Sequence, residues 1–303
     1  MARLYFTKKI KLKILVTGST GFIGSNLIEQ LGLLNCHTAF LSNSRSDNQF
    51  VYCDLNNPAQ SKTYLIEFNP DVVIHLAWMG IPDYSQKNSI KNLNSSIEFL
   101  NIVIENTNCS KIIVTGSCWE YGKQHGICSE NDSLIVSSYF SWAKISLYNY
   151  LFYKCSEAKI SLLWFRLFYV YGPKQRSISL IQNLIESFEI KKIPNILYPN
   201  NKNDFVYVGD VVKTIIGAVD IDIPNGIYNI GSGKAYSVYD ICLEVEHQLH
   251  KTDKTSQLIL KNGKKSESVN FYANTEKTNS LINLKCDTSL QEGIAHQIQY
   301  FLK

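Results

Sequence analysis

A glycine-rich turn near the amino end constrains this chain more than any other feature. Lys13–Thr17 is an apolar run with the length and composition of a buried strand, and a helical pattern begins at Phe22. Gly18 and Gly21 lie in the turn between them, and Gly24 follows in the first turn of the helix. Glycines at these positions permit a tight turn, close approach of the backbone to a ligand and close packing of helix on strand. The sequence therefore predicts a strand–turn–helix unit whose helix amino end binds the phosphates of a dinucleotide.

The first half of the chain alternates short apolar runs with longer helical patterns. We predict strands at 13–17, 38–41, 50–53, 71–76, 111–115 and 160–165, and helices at 22–34, 89–106 and 141–153. Strands that alternate with helices of this length indicate right-handed βαβ units and a doubly wound parallel sheet. The predicted fold class is therefore α/β.

The second half of the chain has shorter elements. We predict helices at 178–188, 238–249 and 289–301, and strands at 205–208 and 228–230. We therefore expect residues 1–170 to form the sheet domain and residues 171–303 to form a smaller C-terminal substrate-binding lobe. The boundary between them is expected to be discontinuous in sequence.

Charge and cysteine spacing exclude several classes of function. Lys and Arg total 30 against 26 Asp and Glu, and a net charge of +4 over 303 residues predicts no nucleic-acid partner. The 8 cysteines form no Cys-x-x-Cys pair and the 6 histidines form no metal-binding motif, so we predict no metal. No apolar run approaches the ~20 residues of a membrane span, and the amino end lacks a signal-peptide core. We expect a cytoplasmic protein with reduced thiols and no membrane partner.

Several short motifs follow the glycine turn in order. They are Cys53-Asp54-Leu55, His75-Leu76-Ala77, Thr115-Gly116-Ser117 with Tyr121-Gly122, Arg166-Leu167-Phe168 with Tyr171-Gly172-Pro173, Asp204-Phe205-Val206-Tyr207-Val208, and Tyr228-Asn229-Ile230-Gly231-Ser232-Gly233. With these motifs the chain resembles the extended short-chain dehydrogenase/reductase family, which includes nucleotide-sugar epimerases, dehydratases and ketoreductases. The resemblance implies a Rossmann sheet, a nucleotide-diphosphate sugar as substrate and a homodimer.

The resemblance also implies a set of cofactor contacts. At the end of the second strand, a carboxylate bonds the ribose 2′-hydroxyl of NAD, whereas Ser or Arg accommodates the 2′-phosphate of NADP. This chain has Ser42, Ser44 and Arg45 there and no acid before Asp47, which favours NADP and leaves NAD as the alternative. The expected cofactor contacts are Gly18, Thr20, Gly21, Phe22, Ile23, Gly24, Ser44, Arg45, Asp54, Leu55, Leu76, Ala77, Lys144, Phe168 and Val170.

The catalytic residues of the family match this chain only in part. Ser117, four residues before Tyr121, stands where the family has the Ser or Thr that orients the substrate oxygen, and Lys144 stands at the family's lysine. The family's tyrosine lies four residues before that lysine on one helix face, but Phe140 occupies this position. If the helix begins at residue 140 or 141, Tyr139 can point into the site and donate the proton. Otherwise another group donates it, or the chain has lost catalysis.

The resemblance points to one branch of the family. The stretch from Gly116 to Gly122 lacks the Asp-Glu pair of the 4,6-dehydratases and resembles a form found in some nucleotide-sugar 4-ketoreductases. We therefore predict NADPH-dependent reduction of a 4-keto-6-deoxy nucleotide sugar to a deoxysugar donor for surface polysaccharide. The alternatives are an epimerase that retains its cofactor and an inactive dinucleotide-binding homologue. The expected substrate contacts are Trp119, Glu120, Tyr169 and Asn203.

Overall fold

The chain divides into two compact units. The structure, a computed structural model, describes residues 12–34, 36–44, 49–122, 126–264, 270–282 and 285–303. The first unit holds the described residues of Met1–Gly122, with Ser133–Arg166 and Val212–Tyr228; the second holds those of Lys123–Asp132, Leu167–Val211 and Asn229–Lys303. Neither unit is a single stretch of sequence, because the chain changes unit at several points.

The first unit is built on a parallel sheet. Its strands are β1 (Lys13–Thr17), β2 (His37–Ser42), β3 (Phe50–Tyr52), β4 (Val72–His75), β5 (Lys111–Ser117), β7 (Ser161–Leu167) and β10 (Gly226–Ile230). The order of these seven strands is β10-β7-β5-β4-β1-β2-β3. β1 pairs in parallel with both β2 and β4, β2 continues to β3, and β4 continues to β5. The order reverses at β1, as in a doubly wound sheet, so the predicted fold class is confirmed.

Helices connect these strands and cover the sheet. They are α1 (Phe22–Leu31), α2 (Lys62–Phe68), α3 (Gln86–Asn106) and α4 (Tyr139–Ala158), followed by α5 (Leu180–Glu189) in the second unit and α6 (Val208–Asp220). α3 and α4 lie side by side, where the Tyr150 hydroxyl donates to Asn101 Oδ1 at 2.8 Å. The core of this unit contains Leu15, Phe99 and Leu147, each with no exposed surface. Burial of such side chains is the main source of its stability.

Serine caps set where two helices of the first unit begin. The Ser85 side chain accepts a hydrogen bond from the N–H of Asn88 and so begins α3. The Ser138 side chain accepts from the N–H of Ser141 and so begins α4. A capped amino end satisfies backbone donors that have no partner inside the helix. The first residue of α4 is therefore Tyr139.

The second unit has a smaller mixed sheet. Its strands are β6 (Gly126–Cys128), β8 (Tyr169–Tyr171), β9 (Lys202–Tyr207), β11 (Ala235–Ser237) and β12 (Asn270–Ala273). They follow the order β11-β9-β12-β6, and β8 pairs with β9. Its helices besides α5 are α7 (Val238–His250), α8 (Lys254–Asn262), α9 (Glu276–Ile282) and α10 (Leu290–Phe301). Its core includes Leu184, Ile241, Val245 and Ile294.

The predicted elements of the first half are present, with ends that differ by a few residues. The helix predicted at 22–34 ends at Leu31, where the N–H of Gly32 bonds the Ile28 carbonyl at 2.9 Å. The strand predicted at 205–208 ends at Tyr207, because Val208 begins α6. The elements that were not predicted are α2, α6, α8, α9, β6, β8, β11 and β12. Most of these elements are short. A short strand forms only where it pairs with strands that are distant in sequence, so its own residues give little signal.

Most of the cysteines are small buried side chains. The eight cysteines all lie in the described ranges and none of them forms a disulfide. Burial raises the pKa of Cys109 to about 12 and that of Cys155 to about 11. These two thiols therefore stay protonated and unreactive near neutral pH. Within the described ranges, no three His, Cys, Asp or Glu side chains are placed to hold a metal ion. Among those same residues, no helix is both long enough and apolar enough to cross a membrane.

Candidate active site

The glycine turn joins the carboxyl end of β1 to the amino end of α1. Gly18 has φ +70°, and a Cβ there would lie 2.7 Å from the backbone nitrogen of Ala77, so the position requires glycine. A Cβ at Gly24 would overlap the carbonyl oxygen of Gly18. Gly21 is the N-cap of α1, and the first turn contains no acidic residue. The first N–H groups of α1 have no partner inside the helix, so the turn offers donors and the positive end of the helix dipole to an anion.

A buried histidine ties two strand ends to a helix beside this turn. His75 Nδ1 lies 2.8 Å from Thr17 Oγ1, and His75 Nε2 lies 3.1 Å from Ser96 Oγ on α3. Burial lowers the pKa of His75 to about 3, so its imidazole is neutral near pH 7. Leu76 and Ala77, two of the expected cofactor contacts, follow directly. Their backbone is therefore held at a fixed strand end next to the glycine turn.

The end of β2 carries no carboxylate among its described residues. The hydroxyl oxygen of Ser42 accepts the N–H of Ser44 at 3.1 Å, and the Ser44 side chain is exposed. The Ser19 hydroxyl donates to the carbonyl oxygen of Leu41 at 2.7 Å, which holds this strand end beside the glycine turn. Arg45, the other expected contact here, lies outside the described residues. The described part of this strand end carries no negatively charged side chain.

The remaining expected cofactor contacts of the first unit differ in exposure. Thr20 is exposed, whereas Phe22 and Ile23 are half-buried. The Asp54 carboxylate accepts the backbone and side-chain N–H groups of the residue two positions later, at 2.9 and 2.8 Å, and so closes a turn after β3. Leu55 packs against the core. Thr20, Phe22 and Ile23 are thus open to a ligand, while Asp54 and Leu55 also shape the local chain.

Glu120 is a buried carboxylate behind Ser117 and not a surface group. It has no exposed surface, which corrects the expectation of a substrate contact. One carboxylate oxygen accepts the N–H of Ser117 at 2.8 Å, and the other accepts Arg166 Nε–H at 2.8 Å. Both oxygens lie 3.1 Å from the indole nitrogen of Trp164, which donates to them. A buried charge needs such partners, and these bonds anchor the strand end that carries Ser117.

Lys144 reaches the same end of β5. Its Nζ donates to the carbonyl oxygen of Thr115 at 2.8 Å and lies 4.0 Å from the ring centre of Trp78. Burial lowers the pKa of Lys144 to about 7, against the opposing effect of the Glu120 carboxylate, which raises it. The structure therefore brings two of the expected catalytic residues, Ser117 and Lys144, to one strand end. Near neutral pH, Lys144 can both hold and release a proton.

The third expected catalytic residue, Tyr139, has a different position. α4 begins at Tyr139, so the condition that would free this residue from helical geometry is not met. Tyr139 is 51% exposed, whereas Phe140 is only 6% exposed and lies on the same helix face as Lys144. Three rings surround that of Phe140. Their centroids lie 5.6 Å (Trp78), 5.0 Å (Tyr84) and 5.9 Å (Trp119) from the Phe140 centroid. Position 140 thus keeps its place beside Lys144 without a hydroxyl.

Four expected contacts lie in the second unit. Phe168 is buried, and its ring centroid lies 5.9 Å from that of Phe271. Tyr169 and Val170 belong to β8, where both are half-buried. Asn203 lies on β9 between its partners on β11 and β12. Phe168 therefore contributes to packing, while the other three retain accessible surface.

Three residues of the first-unit site were not predicted from the sequence. Trp78 borders both Lys144 and Phe140, Tyr84 borders Phe140, and Arg166 neutralises Glu120. Trp78 directly follows the His75-Leu76-Ala77 motif, and this position was the available signal. Arg166 opens the Arg166-Leu167-Phe168 motif, but nothing in that motif indicates its pairing with Glu120, which is distant in sequence. Tyr84 lies outside the quoted motifs and carries no such signal.

Comparison with known proteins agrees with this geometry. A sequence model described as the NAD dependent epimerase/dehydratase family matches residues 14–231. The chain belongs to this family. Among similar proteins, the dTDP-4-dehydro-6-deoxyglucose reductase of Escherichia coli is 28% identical over 78% of this chain and 82% of that protein. The uncharacterized UDP-glucose epimerase YtcB of Bacillus subtilis is 26% identical over 95% of this chain and 98% of that protein.

Two solved structures have a fold similar to that of this chain. The UDP-glucuronic acid 4-epimerase from Bacillus cereus in complex with NAD has a TM-score of 0.82 at 24% identity, and covers 95% of this chain and 96% of that one. MoeE5 in complex with UDP-glucuronic acid and NAD has a TM-score of 0.81 at 23% identity, and covers 96% and 99%. At these identities the likeness shows the fold. The members of this epimerase/dehydratase family are NAD-dependent enzymes, so the resemblance that the motifs carried is confirmed.

The first unit fits the dinucleotide that the family uses. The uncapped amino end of α1 is suited to phosphates, and the glycine turn leaves no side chain in their way. The indole Nε1–H of Trp78, beside Lys144, is buried without a hydrogen-bond partner among the described residues. A buried donor of this kind is satisfied when a bound ligand supplies an acceptor.

The buried lysine should make stability depend on pH. Folded Lys144 has a pKa of about 7 against the ordinary 10.5 of the unfolded chain, so between these values the unfolded state holds more protons. Wild-type stability should therefore rise with pH across this range. We expect Lys144→Met to add more to the free energy of unfolding at about pH 6 than at about pH 9, in urea titrations.

The matched control for this prediction is Lys154→Met. Lys154 is half-buried at the surface, and its hydrogen bond to Glu105 raises its pKa, so it stays charged in both folded and unfolded states over this range. Its substitution should change stability equally at the two pH values. An effect of Lys144→Met that is also independent of pH contradicts the prediction.

Proposed function

We propose that this chain reduces the 4-keto group of a 4-keto-6-deoxy nucleotide sugar with NADPH and so produces a deoxysugar donor for surface polysaccharide. The observation that carries the proposal is Phe140, which stands beside Lys144 where a phenol would be expected. The similarity to the Escherichia coli reductase supports the substrate class. The same proposal includes a homodimer through α3 and α4, on whose surface Ile90, Trp142 and Phe152 are exposed.

The absence of a phenol at position 140 bears on whether the site favours a reductase or an epimerase. An epimerase must first oxidise an alcohol, and this step needs a base of lowered pKa to take the hydroxyl proton. A reductase needs only an acid, because hydride addition to a ketone creates an alkoxide that is far more basic than ordinary donors. One group serves both directions, so loss of the phenol beside Lys144 slows oxidation and reduction at a given carbon by the same factor. An epimerase runs both of these steps in every turnover, whereas a reductase runs only one. On this argument the geometry favours the reductase over the epimerase.

The residues of the first unit divide the work of this reaction. A bound dihydronicotinamide supplies the hydride. Ser117 holds the keto oxygen by a hydrogen bond that strengthens as negative charge develops there. Glu120 fixes the backbone of Ser117 through its N–H, at 2.8 Å. Lys144 binds the nicotinamide ribose and, with its positive charge, lowers the pKa of the proton donor.

The choice of NADP rests on the end of β2. The hydroxyl groups of Ser42 and Ser44 lie 3.2 Å apart there; Ser42 is buried, and Ser44 is exposed. A carboxylate at this place would bond a free 2′-hydroxyl and repel a 2′-phosphate. The described residues at this strand end carry hydroxyls instead, so we infer that NADP is accepted in preference to NAD.

The experiment follows cofactor and sugar together. Purified protein is incubated with NADPH, and in parallel with NADH, against a panel of 4-keto-6-deoxy nucleotide sugars, while cofactor absorbance and product sugars are measured. We expect stoichiometric loss of NADPH, faster than that of NADH, with formation of a new deoxysugar.

Two other outcomes contradict the proposal, each in a distinct way. Conversion of the sugar without loss of cofactor indicates an epimerase that retains its dinucleotide. No turnover of any sugar, with the dinucleotide still bound, indicates an inactive binding homologue. Faster loss of NADH overturns only the choice of cofactor.

A further inference from the structure

The ring of Phe140 has one neighbour that carries a phenolic hydroxyl. Among the ring contacts of Phe140 in the described residues, Trp78 and Trp119 are indoles and Tyr84 is a phenol. Tyr84 lies 5.0 Å from Phe140 and 4.9 Å from Trp119, measured between ring centroids. Trp119 is two residues from Ser117 along the chain. We infer that Tyr84 supplies the proton that Phe140 cannot, an inference that rests on the proposed reductase function.

The segment that carries Tyr84 is held by hydrogen bonds to α3. The Asn92 side chain, 2% exposed, accepts the N–H of Met79 at 2.6 Å and donates to the carbonyl of Met79 at 3.0 Å. The Asn88 side chain donates to the carbonyls of Met79 and Asp83, at 2.9 and 2.7 Å. These bonds pin both ends of residues 79–83, immediately before Tyr84. A proton donor must be positioned in this way to act within a reaction step.

Tyr84 is accessible as well as positioned. Its side chain is half-buried and borders a cavity of about 580 Å³ in the first unit, which Ile90 and Trp142 also line and Ser117 and Lys144 do not. Tyr139, the donor expected from the sequence, lines the same cavity. Tyr139 precedes Phe140 on α4, and one helical step turns a side chain by ~100° away from the face that carries Phe140 and Lys144. Of these two phenols, Tyr84 is therefore the one whose ring contacts Phe140, the residue that stands where the family has its tyrosine.

The chemistry that this assigns to Tyr84 is one proton transfer. Hydride addition to the keto carbon leaves an electron pair on the keto oxygen. The phenolic O–H bond of Tyr84 breaks, its proton passes to that oxygen, and the product alcohol forms. The phenolate then takes a proton from water, to which the half-exposed side chain has access. Over a full turnover, one hydride and one solvent proton are consumed.

The experiment compares four variants with the wild type: Tyr84→Phe, Tyr139→Phe, Phe140→Tyr and the double variant Tyr84→Phe/Phe140→Tyr. Loss of a positioned general acid typically costs ~10²–10⁴-fold in rate, and we expect kcat of Tyr84→Phe to fall by about this factor. Phe140→Tyr should restore turnover in the double variant, because it places a phenol beside Lys144. NADPH binding, followed by fluorescence titration, should be unchanged in Tyr84→Phe. Tyr300→Phe removes a half-exposed phenol in the second unit and is the matched control.

Three contrary results overturn this inference and leave the reductase function standing, and a fourth contradicts both. An active wild type whose kcat is unaffected by Tyr84→Phe overturns the inference and leaves the reductase standing. Loss of activity in Tyr139→Phe alone assigns the proton to Tyr139 instead. Weakened NADPH binding in Tyr84→Phe shows a structural role and overturns the inference too. If the wild type is inactive and the Phe140→Tyr variant is active, no group of the natural chain replaces the missing phenol. This result contradicts both the inference and the proposed reductase function.

Discussion

Replacing Gly24 with alanine should nearly abolish dinucleotide binding. The added Cβ would overlap the carbonyl oxygen of Gly18 and lie 2.8 Å from the Cα of Ser19, so the helix and the turn must move apart. The contacts at risk are backbone N–H groups to phosphate. Two such charge-assisted bonds, at about 1.5 kcal/mol each, correspond to a loss of ~100-fold in affinity. Fluorescence titration with NADPH measures the effect, and thermal unfolding of the free protein should also show a lower Tm.

The matched control is Gly32→Ala, at the other end of α1. Gly32 has φ −61° and ψ −19°, and a Cβ there would meet its nearest neighbour, the Ile28 carbonyl oxygen, at 3.4 Å. This substitution adds the same methyl group to the same helix without a clash, so cofactor affinity and Tm should not fall. Equal affinity of the two variants for NADPH would show that α1 does not carry the phosphates.

Glu120→Gln should produce the largest loss of stability. The carboxylate is fully buried and pairs with Arg166, which is 1% exposed, and it also accepts the indole N–H of Trp164 and the N–H of Ser117. An amide leaves the guanidinium buried without its counter-charge, and breaking a buried pair in this way typically costs about 3–5 kcal/mol. Urea titration at neutral pH measures this loss. Activity should fall as well, because the backbone of Ser117 loses part of its anchor.

Glu105→Gln is the matched control for this change. The pair formed by Glu105 and Lys154 has a nitrogen–oxygen distance of 2.7 Å, but the Glu105 side chain is 55% exposed. Water replaces the lost interaction there, so the same substitution should have little effect on stability. Comparable losses for the two variants would contradict the assignment of Glu120 as a buried structural charge.

Local patterns account for what could be predicted. The glycine turn joins a five-residue strand to a ten-residue helix whose first turn contains Gly24, and the constraints on its glycines act within this one segment. The position of Lys144 on α4 and that of Ser117 at the end of β5 also follow from nearby sequence. The start of α4 was harder to predict, because the Ser138 cap competes with a start one or two residues later.

Long-range packing decided the rest of the site. Glu120 precedes Arg166 by 46 positions, so its burial could not be read from the stretch in which it lies. Tyr84 and Phe140 come together only because the loop after β4 lies beside the amino end of α4. Trp78 covers Lys144 for the same reason. None of these contacts has a periodicity or a spacing that a single sequence displays.

The sequence by itself determined the doubly wound sheet, the glycine turn and the family, because strand and helix patterns and turn glycines act over a few neighbouring residues. It also showed that Phe140 lacks the hydroxyl that the family carries. Only the tertiary structure decided that Glu120 is an interior anchor, that the pKa of Lys144 falls to about 7, and that the ring of Tyr84 lies against Phe140. Burial and contacts between distant segments depend on how the whole unit packs, and local sequence does not contain that information.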